Sequence, residues 1–388
     1  MMASGPISAR ELGSSDLRIA LTGDVMLGRG IDQILTHPSS PLLYESYAKS
    51  ALLYVSLAEK RNGPVPRPVP NSYVWGDMLP DLTAHAPDLR IINLETAVTR
   101  SEKYRPIKGI HYRMNPDNWS VLRAALVDCC VLANNHVLDW GRDGLLETLD
   151  VLAAMDVKVA GAGRTRTEAE APAILPVPGS RRVLVYAFAS PSSGVPLDWA
   201  ATADRPGVRL LDEHGNTAIE NIARQIAREC QKGDIVIASI HWGPNWGYEV
   251  AGADREFARC LIDEAQVDIV HGHSSHHPKG IECYRDRLIL YGCGDLLNDY
   301  EGIAGEEAYR PDLALLYLVA VTSDGRCRDL EMLPYRIARL SLNRATDREV
   351  QWLEKRMDRL CAAFQCGVAL NSRPDGSSSI RLVCSRDD

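Results

Sequence analysis

Several things are missing from this chain of 388 residues, and each absence narrows its function. There is no excess of positive charge. Asp and Glu number 51 against 43 Lys and Arg, a net charge of −8, so no basic footprint exists for nucleic acid or an anionic membrane surface. There is no CxxC pair among the ten cysteines: Cys129 and Cys130 are adjacent, and Cys230, Cys260, Cys283, Cys293, Cys327, Cys361, Cys366 and Cys384 are scattered. That pattern argues against a thiolate zinc site and against a disulfide framework, and predicts buried, reduced thiols in a cytosolic protein. There is no long apolar run. The N-terminal "MMASGPISARELGSSDLR" lacks an apolar core of signal-peptide length, and the longest run, "LALLYLVAV" (Leu313–Val321), is too short to span a bilayer. The chain therefore reads as cytoplasmic, without an anchor of its own, and without a nucleic-acid or membrane partner. Nor is there an internal repeat.

What is present is an alternation of short apolar runs and helical patterns. Strands are predicted at "LRIALT" (17–22), "LRIINL" (89–94), "CCVLA" (129–133), "VKVAGA" (157–162), "VLVYAF" (183–188), "IVIASI" (235–240), "VDIV" (267–270), "RLILY" (287–291) and "LALLYLVAV". Most are continuously apolar, the mark of strands covered on both faces. Between them "DGLLETLDVLAAM", "IENIARQIAREC" and "DREFARCLIDEA" carry apolar residues at helical spacing, the first with Asp143 as the expected N-cap. Strands alternating with helices predict an α/β fold. Residues 1–16 read as an N-terminal tail and 17–340 as the main domain. Residues 38–76, with the proline-rich "GPVPRPVPNS", look like an insertion in that domain. Residues 341–388 read as a C-terminal amphipathic helix (345–364) packed on the domain, followed by a loosely held tail.

The ten histidines are unevenly spread: His271, His273, His276 and His277 fall within seven residues, just after a predicted strand. Other strand ends are also polar. "TGDVMLGRG" carries Asp24, "NLET" carries Asn93 and Glu95, "NNHVLDWG" carries Asn134, Asn135, His136 and Asp139, "HWGPNWGYE" carries His241, and "GCGDLLND" carries Asp295. The C-terminal ends of strands are where ligands bind in α/β sheets. Carboxylate, imidazole and amide together form a mixed N/O set suited to Zn²⁺, Mn²⁺ or Fe. Taken singly, Asp24 reads as a turn residue, Asn135–His136 as a helix cap and His241 as structural. Recurrence at six strand ends is what argues for one metal site, with enough donors for two ions.

In order, "TGDVMLGR", "NLET", "LANNHVLDWG", "HWG" and "HGHSSHHPKG" resemble the CapA family, named for poly-γ-glutamate capsule biosynthesis. The resemblance covers about residues 17–340 and implies the calcineurin-like metallophosphoesterase fold, a four-layer α/β/β/α sandwich with a dinuclear centre. It implies metal ligands at Asp24, Glu95 (as the bridge), Asn135, His241, His273 and His276. It implies a proton donor or substrate contact at His136. His271 and His277 match nothing in the pattern. A histidine two residues after the first aspartate is replaced by Met26, as is common in this family. The usual "SLGN" is here "GCGD", which puts a carboxylate, Asp295, where an amide is expected. A carboxylate exchanges protons and an amide does not, so Asp295 reads as an added acid/base, the alternative being a turn aspartate or N-cap. The family's usual membrane anchor is also missing from this chain.

Two reactions suit such a site. One is proton abstraction beside a metal-bound carboxylate, as in the soluble lasso-peptide epimerases that this chain resembles in length and lack of an anchor. There the substrate partner is a ribosomal precursor peptide, and His136 and Asp295 serve the two faces of the α-carbon. The other is metal-assisted hydrolysis or amide ligation on a polyglutamate-like or phosphoester substrate. Arg29, Arg113 and Lys279 are candidate contacts for an anionic substrate, against the alternative of ordinary salt bridges. Trp242, with Trp246 and Tyr248, is a candidate pocket wall, against the alternative of core packing.

Overall fold

A computed structural model describes residues 16–179, 181–211 and 215–384; the expected tail of residues 1–16 lies almost wholly outside them. Two sheets dominate. The ten-stranded sheet runs Cys366–Ser372, Ser378–Cys384, Cys327–Ile337, Leu313–Val321, Leu17–Val25, Leu89–Leu94, Cys129–Val131, Lys158–Ala160, with Asp295–Leu297 and Leu342–Arg344 pairing off this path. The six-stranded sheet runs Ile281–Tyr284, Arg287–Leu290, Ile269–His273, Ile235–His241, Arg181–Ala189, Ala173–Val177. The strands from Leu17–Val25 to Lys158–Ala160 are mutually parallel, as are Arg181–Ala189, Ile235–His241, Ile269–His273 and Arg287–Leu290. Their C-terminal ends therefore gather on one side of each sheet. The fold is mixed α/β with several sheets, as expected, and among the described residues no helix is long and apolar enough to cross a membrane.

Side-chain alternation shows how the sheets face each other. Along Ile235–His241, Ile235 and Ile237 share a core with Ile19, Leu21 and Ile91 of the larger sheet. The residues between them, Val236, Ala238 and Ile240, pack instead with Ile219, Ile222 and Ile226 of the Asn216–Glu229 helix and with Phe257, Ala258 and Leu261 of the Gly252–Asp263 helix. One face of the smaller sheet thus turns toward the larger sheet and the other is covered by two helices. By the same period of two, Ser239 and His241 lie on the inward face with Ile235 and Ile237. His271 and His273 lie there too, in step with Ile269.

Several local expectations change. The first of the three patterned helices is Gly141–Ala154, with Trp140 at the N-cap. Asp143 sits inside its first turn and pairs with Lys103, where its charge meets the positive end of the helix. The region 38–76, read as an insertion, holds a helix, Leu52–Asn62, and sends Val65, Val69, Val74 and Trp75 into the main core. The predicted C-terminal helix is Asp347–Ala362, started by a Thr346/Glu349 capping box, with Val350, Leu353, Met357 and Cys361 buried along one stripe. The segment expected to be a loose tail is instead a hairpin, Cys366–Ser372 with Ser378–Cys384, joined to the large sheet through Glu331↔Arg381 and Met332↔Ile380. Of the ten cysteines, expected to be buried, five are buried and five half-buried, and the Cys366 and Cys384 sulfurs lie 3.3 Å apart across the terminal hairpin.

Candidate metal centre

The site forms where the two sheets bring strand ends together. Asp24 is the penultimate residue of the first strand, after a break in its pairing between Leu21 and Asp24, and pairs in parallel register with both Asn93 and Asp295. That close approach depends on Gly23, because a Cβ there would lie 1.7 Å from the carbonyl oxygen of Gly294. Asp295 follows only five residues after the Arg287–Leu290 strand, yet it belongs to the other sheet. From the smaller sheet come His241 and His273, which are register partners. Gly272 beside His273 is equally constrained: a Cβ would lie 2.6 Å from the Leu290 carbonyl oxygen.

Two groups of donors result, Asp24–His241–His273 and Asp24–His276–Asp295, each with its ligand atoms within 4.8 Å of one another and every residue buried. Asp24 is the shared member. Glu95, to which the resemblance assigns the bridging place, is in neither group. Asn93 Nδ2 donates to the carboxyls of both Asp24 (2.7 Å) and Glu95 (3.4 Å), and Glu95 Oε1 lies 3.6 Å from His136 Nε2. Asn135 Oδ1 lies 3.2 Å from His241 Nε2, so the amide reaches this cluster from the third strand end.

The electrostatics are those of an anionic cluster cut off from water. Burial, then the neighbouring Asp295 charge, push Asp24 up from 3.8 to about 7. Burial and the Asp24 charge raise Glu95 well above the ordinary carboxylate range. His241 and His273 are driven well below 6.5, first by burial and then by neighbouring cations or imidazoles. Burial pulls His276 down too, but the Asp295 and Asp24 charges outweigh it and its pKa is raised. His276 Nδ1 lies 2.9 Å from Asp295 Oδ1, and its Nε2 lies 3.0 Å from Asn245 Nδ2. Asn298 holds the other Asp295 oxygen at 2.8 Å.

His136 is the inward-facing residue beside these groups. Its Nδ1 is 2.6 Å from Asp139 Oδ2 and 2.8 Å from Lys108 Nζ, and its Nε2 faces Glu95. Lys108 also pairs with Asp139. Burial lowers the His136 pKa to about 4 despite the carboxylate. Burial would raise Asp139, but His136 and Lys108 together hold it below 3.8. Asp139 lies on the "NNHVLDWG" motif and was visible as a strand-end carboxylate. Lys108 comes from an unpatterned loop and gave no signal.

The other candidates lie outside the two donor groups. The Arg29 guanidinium is fully engaged and almost fully buried. It meets Asp299 through Nε (3.1 Å) and Nη2, Glu45 at 3.1 Å and the Tyr54 hydroxyl at 2.9 Å, with the Tyr54 and Tyr112 rings alongside. Arg113 stacks on Trp140 and donates to the carbonyls of Ser101 and Ser40. Trp242 is in the helix-covered core with its indole N–H on the Tyr291 carbonyl, the packing alternative raised for it. Lys279 is buried and reaches the Glu249 carbonyl at 3.3 Å. Of the aromatic residues expected nearby, Trp246 does touch the site, edge-on to His276 with ring centroids 5.2 Å apart. His277 stacks on Tyr309.

The donor set fits divalent metal. Asp24, Glu95 and Asp295 are three buried carboxyls in one cluster, a charge that must be neutralised by protons or by a cation. His241 Nδ1 and His273 Nδ1 face each other at 2.8 Å. Asp24, His241 and His273 form one group of donors that could hold an ion, and Asp24, His276 and Asp295 form another.

Residues 18–300, which contain every one of these donors, match the family model described as bacterial capsule synthesis protein PGA_cap. Over 359 residues the chain is 46% identical to a probable polyglutamine synthesis accessory protein of Mycobacterium tuberculosis, covering 92% of this chain and 94% of that one. It is 25% identical over 284 residues to the PGA biosynthesis protein CapA of Bacillus subtilis, covering 73% of this chain and 63% of that protein. Against the capsule biosynthesis protein CapA of Bacillus anthracis the identity is 23% over 303 residues, covering 76% and 63%. With the family model matched over residues 18–300 and a relative 46% identical over 92% of this chain, the protein belongs to the bacterial capsule synthesis (PGA_cap, or CapA) family.

Proposed function

We propose that this protein is a metal-dependent enzyme that cleaves or transfers amide bonds of a polyglutamate-like chain, at a centre of two divalent ions. The observation that carries this reading is the pair of buried donor groups sharing Asp24. The names borne by its relatives, polyglutamine synthesis and PGA biosynthesis, support the substrate class. We read the two sheets and their flanking helices as the α/β/β/α sandwich of the metallophosphoesterases, and the cytoplasm as the site of action.

Bound metal would supply Lewis-acid polarisation of the carbonyl and an activated water. The chain's own residues do the rest. Asp139, the shorter of the two contacts to His136 Nδ1, takes that N–H and aims Nε2 at the site. With its lone pair on Nε2, His136 is then placed to take a proton from the attacking water and return that proton to the departing amine. Lys108 neutralises Asp139, so the dyad adds little net charge to a cluster already rich in carboxylates. His276, held by Asn245 and Asp295, keeps the second donor group in register.

Inversion of a peptide α-carbon is the rival reading, and its support is Asp295, a carboxylate where the family carries an amide. The comparisons favour the polyglutamate reading. Both are tested by stripping the protein with a chelator, reloading it with Mn²⁺ or Zn²⁺, and incubating it with poly-γ-glutamate in D₂O. Metal-dependent appearance of new amino groups, lost in Asp24→Asn, is the expected result. One deuterium at an α-carbon of a peptide without cleavage would favour inversion, and failure to take up metal would refute both.

A further inference from the structure

Behind His273, on the side away from His241, a chain of contacts runs through the space between the sheets. His273 Nε2 is 2.9 Å from Ser239 Oγ, Ser239 Oγ is 3.0 Å from His271 Nδ1, and His271 Nε2 is 2.8 Å from the backbone carbonyl of Thr22. Ser239, His271 and His273 are almost completely buried. Neither the donor groups nor the proposed reaction uses Ser239 or His271.

We infer that Ser239 and His271 are positioning residues that set which nitrogen His273 presents to the metal. The logic starts at the far end. The Thr22 carbonyl can only accept, so His271 Nε2 carries a hydrogen. Among the described residues no carboxylate hydrogen-bonds His271, and a second proton would leave a bare buried charge, so the ring is neutral and its Nδ1 is an acceptor. The single hydroxyl hydrogen of Ser239 is therefore donated to His271 Nδ1. That leaves the Ser239 oxygen as an acceptor, and the hydrogen it receives is on His273 Nε2. His273, also neutral, is left with a lone pair on Nδ1, the atom that faces His241 Nδ1 at 2.8 Å and Asp24 Oδ1 at 3.8 Å. Donation thus runs in one fixed direction, from His273 in one sheet to the Thr22 carbonyl in the other, and leaves the metal-facing Nδ1 of His273 with its lone pair. Partners of this kind hold the ligand tautomer ready before metal arrives, and their loss typically weakens metal binding by about 10- to 100-fold.

The relay rests on the metal reading above only for its purpose, so its test has two arms. In the first, the metal-free wild-type protein is labelled with ¹⁵N-histidine and the ring tautomers are assigned by NMR. The expected result is a neutral His273 protonated on Nε2 and a neutral His271 protonated on Nε2. A His273 protonated on Nδ1 overturns the relay, whether or not metal binds. In the second, Mn²⁺ is titrated calorimetrically into Ser239→Ala, with circular dichroism confirming the fold. The expected result is a loss of affinity on the order of 10-fold or more, and unchanged affinity in a folded variant overturns the relay. A wild-type protein that takes up no Mn²⁺ or Zn²⁺ removes the proposed function and leaves the first arm to decide the relay.

Discussion

Replacing Asp24 by Asn should stabilise the metal-free protein at alkaline pH and destabilise it at acid pH, and the crossing is the signature of a carboxylate kept for a cation. In the fold Asp24 holds its proton up to about pH 7, whereas an ordinary aspartate releases it near 3.8. Between those values the folded state binds more protons than the unfolded chain, so stability falls as pH rises through the window and is flat above it. At 1.36 kcal/mol per pH unit the loss is about 4 kcal/mol. An uncharged amide at this position escapes it. The substitution also disturbs two hydrogen bonds, from Asn93 Nδ2 at 2.7 Å and Ser274 N at 3.2 Å, at a cost of about 1–2 kcal/mol. The variant should therefore be less stable than wild type by about 1–2 kcal/mol at pH 4, and more stable by about 2–3 kcal/mol at pH 8. The assay is urea unfolding in the presence of a chelator. With metal at 100 times its dissociation constant, wild type should gain about 2.7 kcal/mol and the variant much less. A variant that is less stable than wild type by the same margin at both pH values would refute the reasoning.

Three other substitutions separate roles within the site. Asp295→Asn should lower bound metal from two equivalents to one, measured by mass spectrometry of the metal content, because Asp295 belongs with Asp24 and His276 in one donor group. Full retention of metal with loss of turnover would return Asp295 to a purely acid/base role. Arg29→Met should leave Asp299 and Glu45 buried without their guanidinium and cost about 3–5 kcal/mol in urea unfolding; unchanged stability would show that this triad is not holding the loop. Gly23→Ala would force the first strand away from Gly294 and should abolish metal uptake, measured by titration, while secondary structure survives. Normal uptake in a folded variant would argue against the close approach of Asp24 and Asp295.

How far the site could be read in the sequence depended on where each residue lies. Asp24, His136, His241, His273, His276 and Asp295 sit at or just beyond ends of buried strands, where an apolar run stops abruptly at a polar residue, and that edge is visible in one dimension. Ser239 lies within "IVIASI", where a small hydroxyl is hidden among apolar residues, and only the pairing of Ile235–His241 with Ile269–His273 brings it against His271 and His273. Lys108 sits in a loop whose path is set by tertiary contacts. Asp24's central place follows from its pairing with both Asn93 and Asp295, a fact of register that no spacing encodes. The C-terminal hairpin was missed for a different reason: its strands, CGVALNS and SSIRLVC, are largely half-exposed and break their apolar stretches with Gly, Asn, Ser and Arg, so they carry neither the long apolar run nor the clean alternation by which strands are recognised.

The crossing of the chain from Leu290 in one sheet to Asp295 in the other has a mechanical consequence. Each donor group draws on both sides of the seam. Asp24 and Asp295 ride on one sheet, while His241 and His273 belong to the other and His276 follows directly from it. An ion seated in either group would act as a rivet through two plates. Removing it would free the plates to slip by a fraction of a strand repeat. Slippage would spread the donors, so the centre's geometry and the sandwich's stiffness would rise and fall as one property.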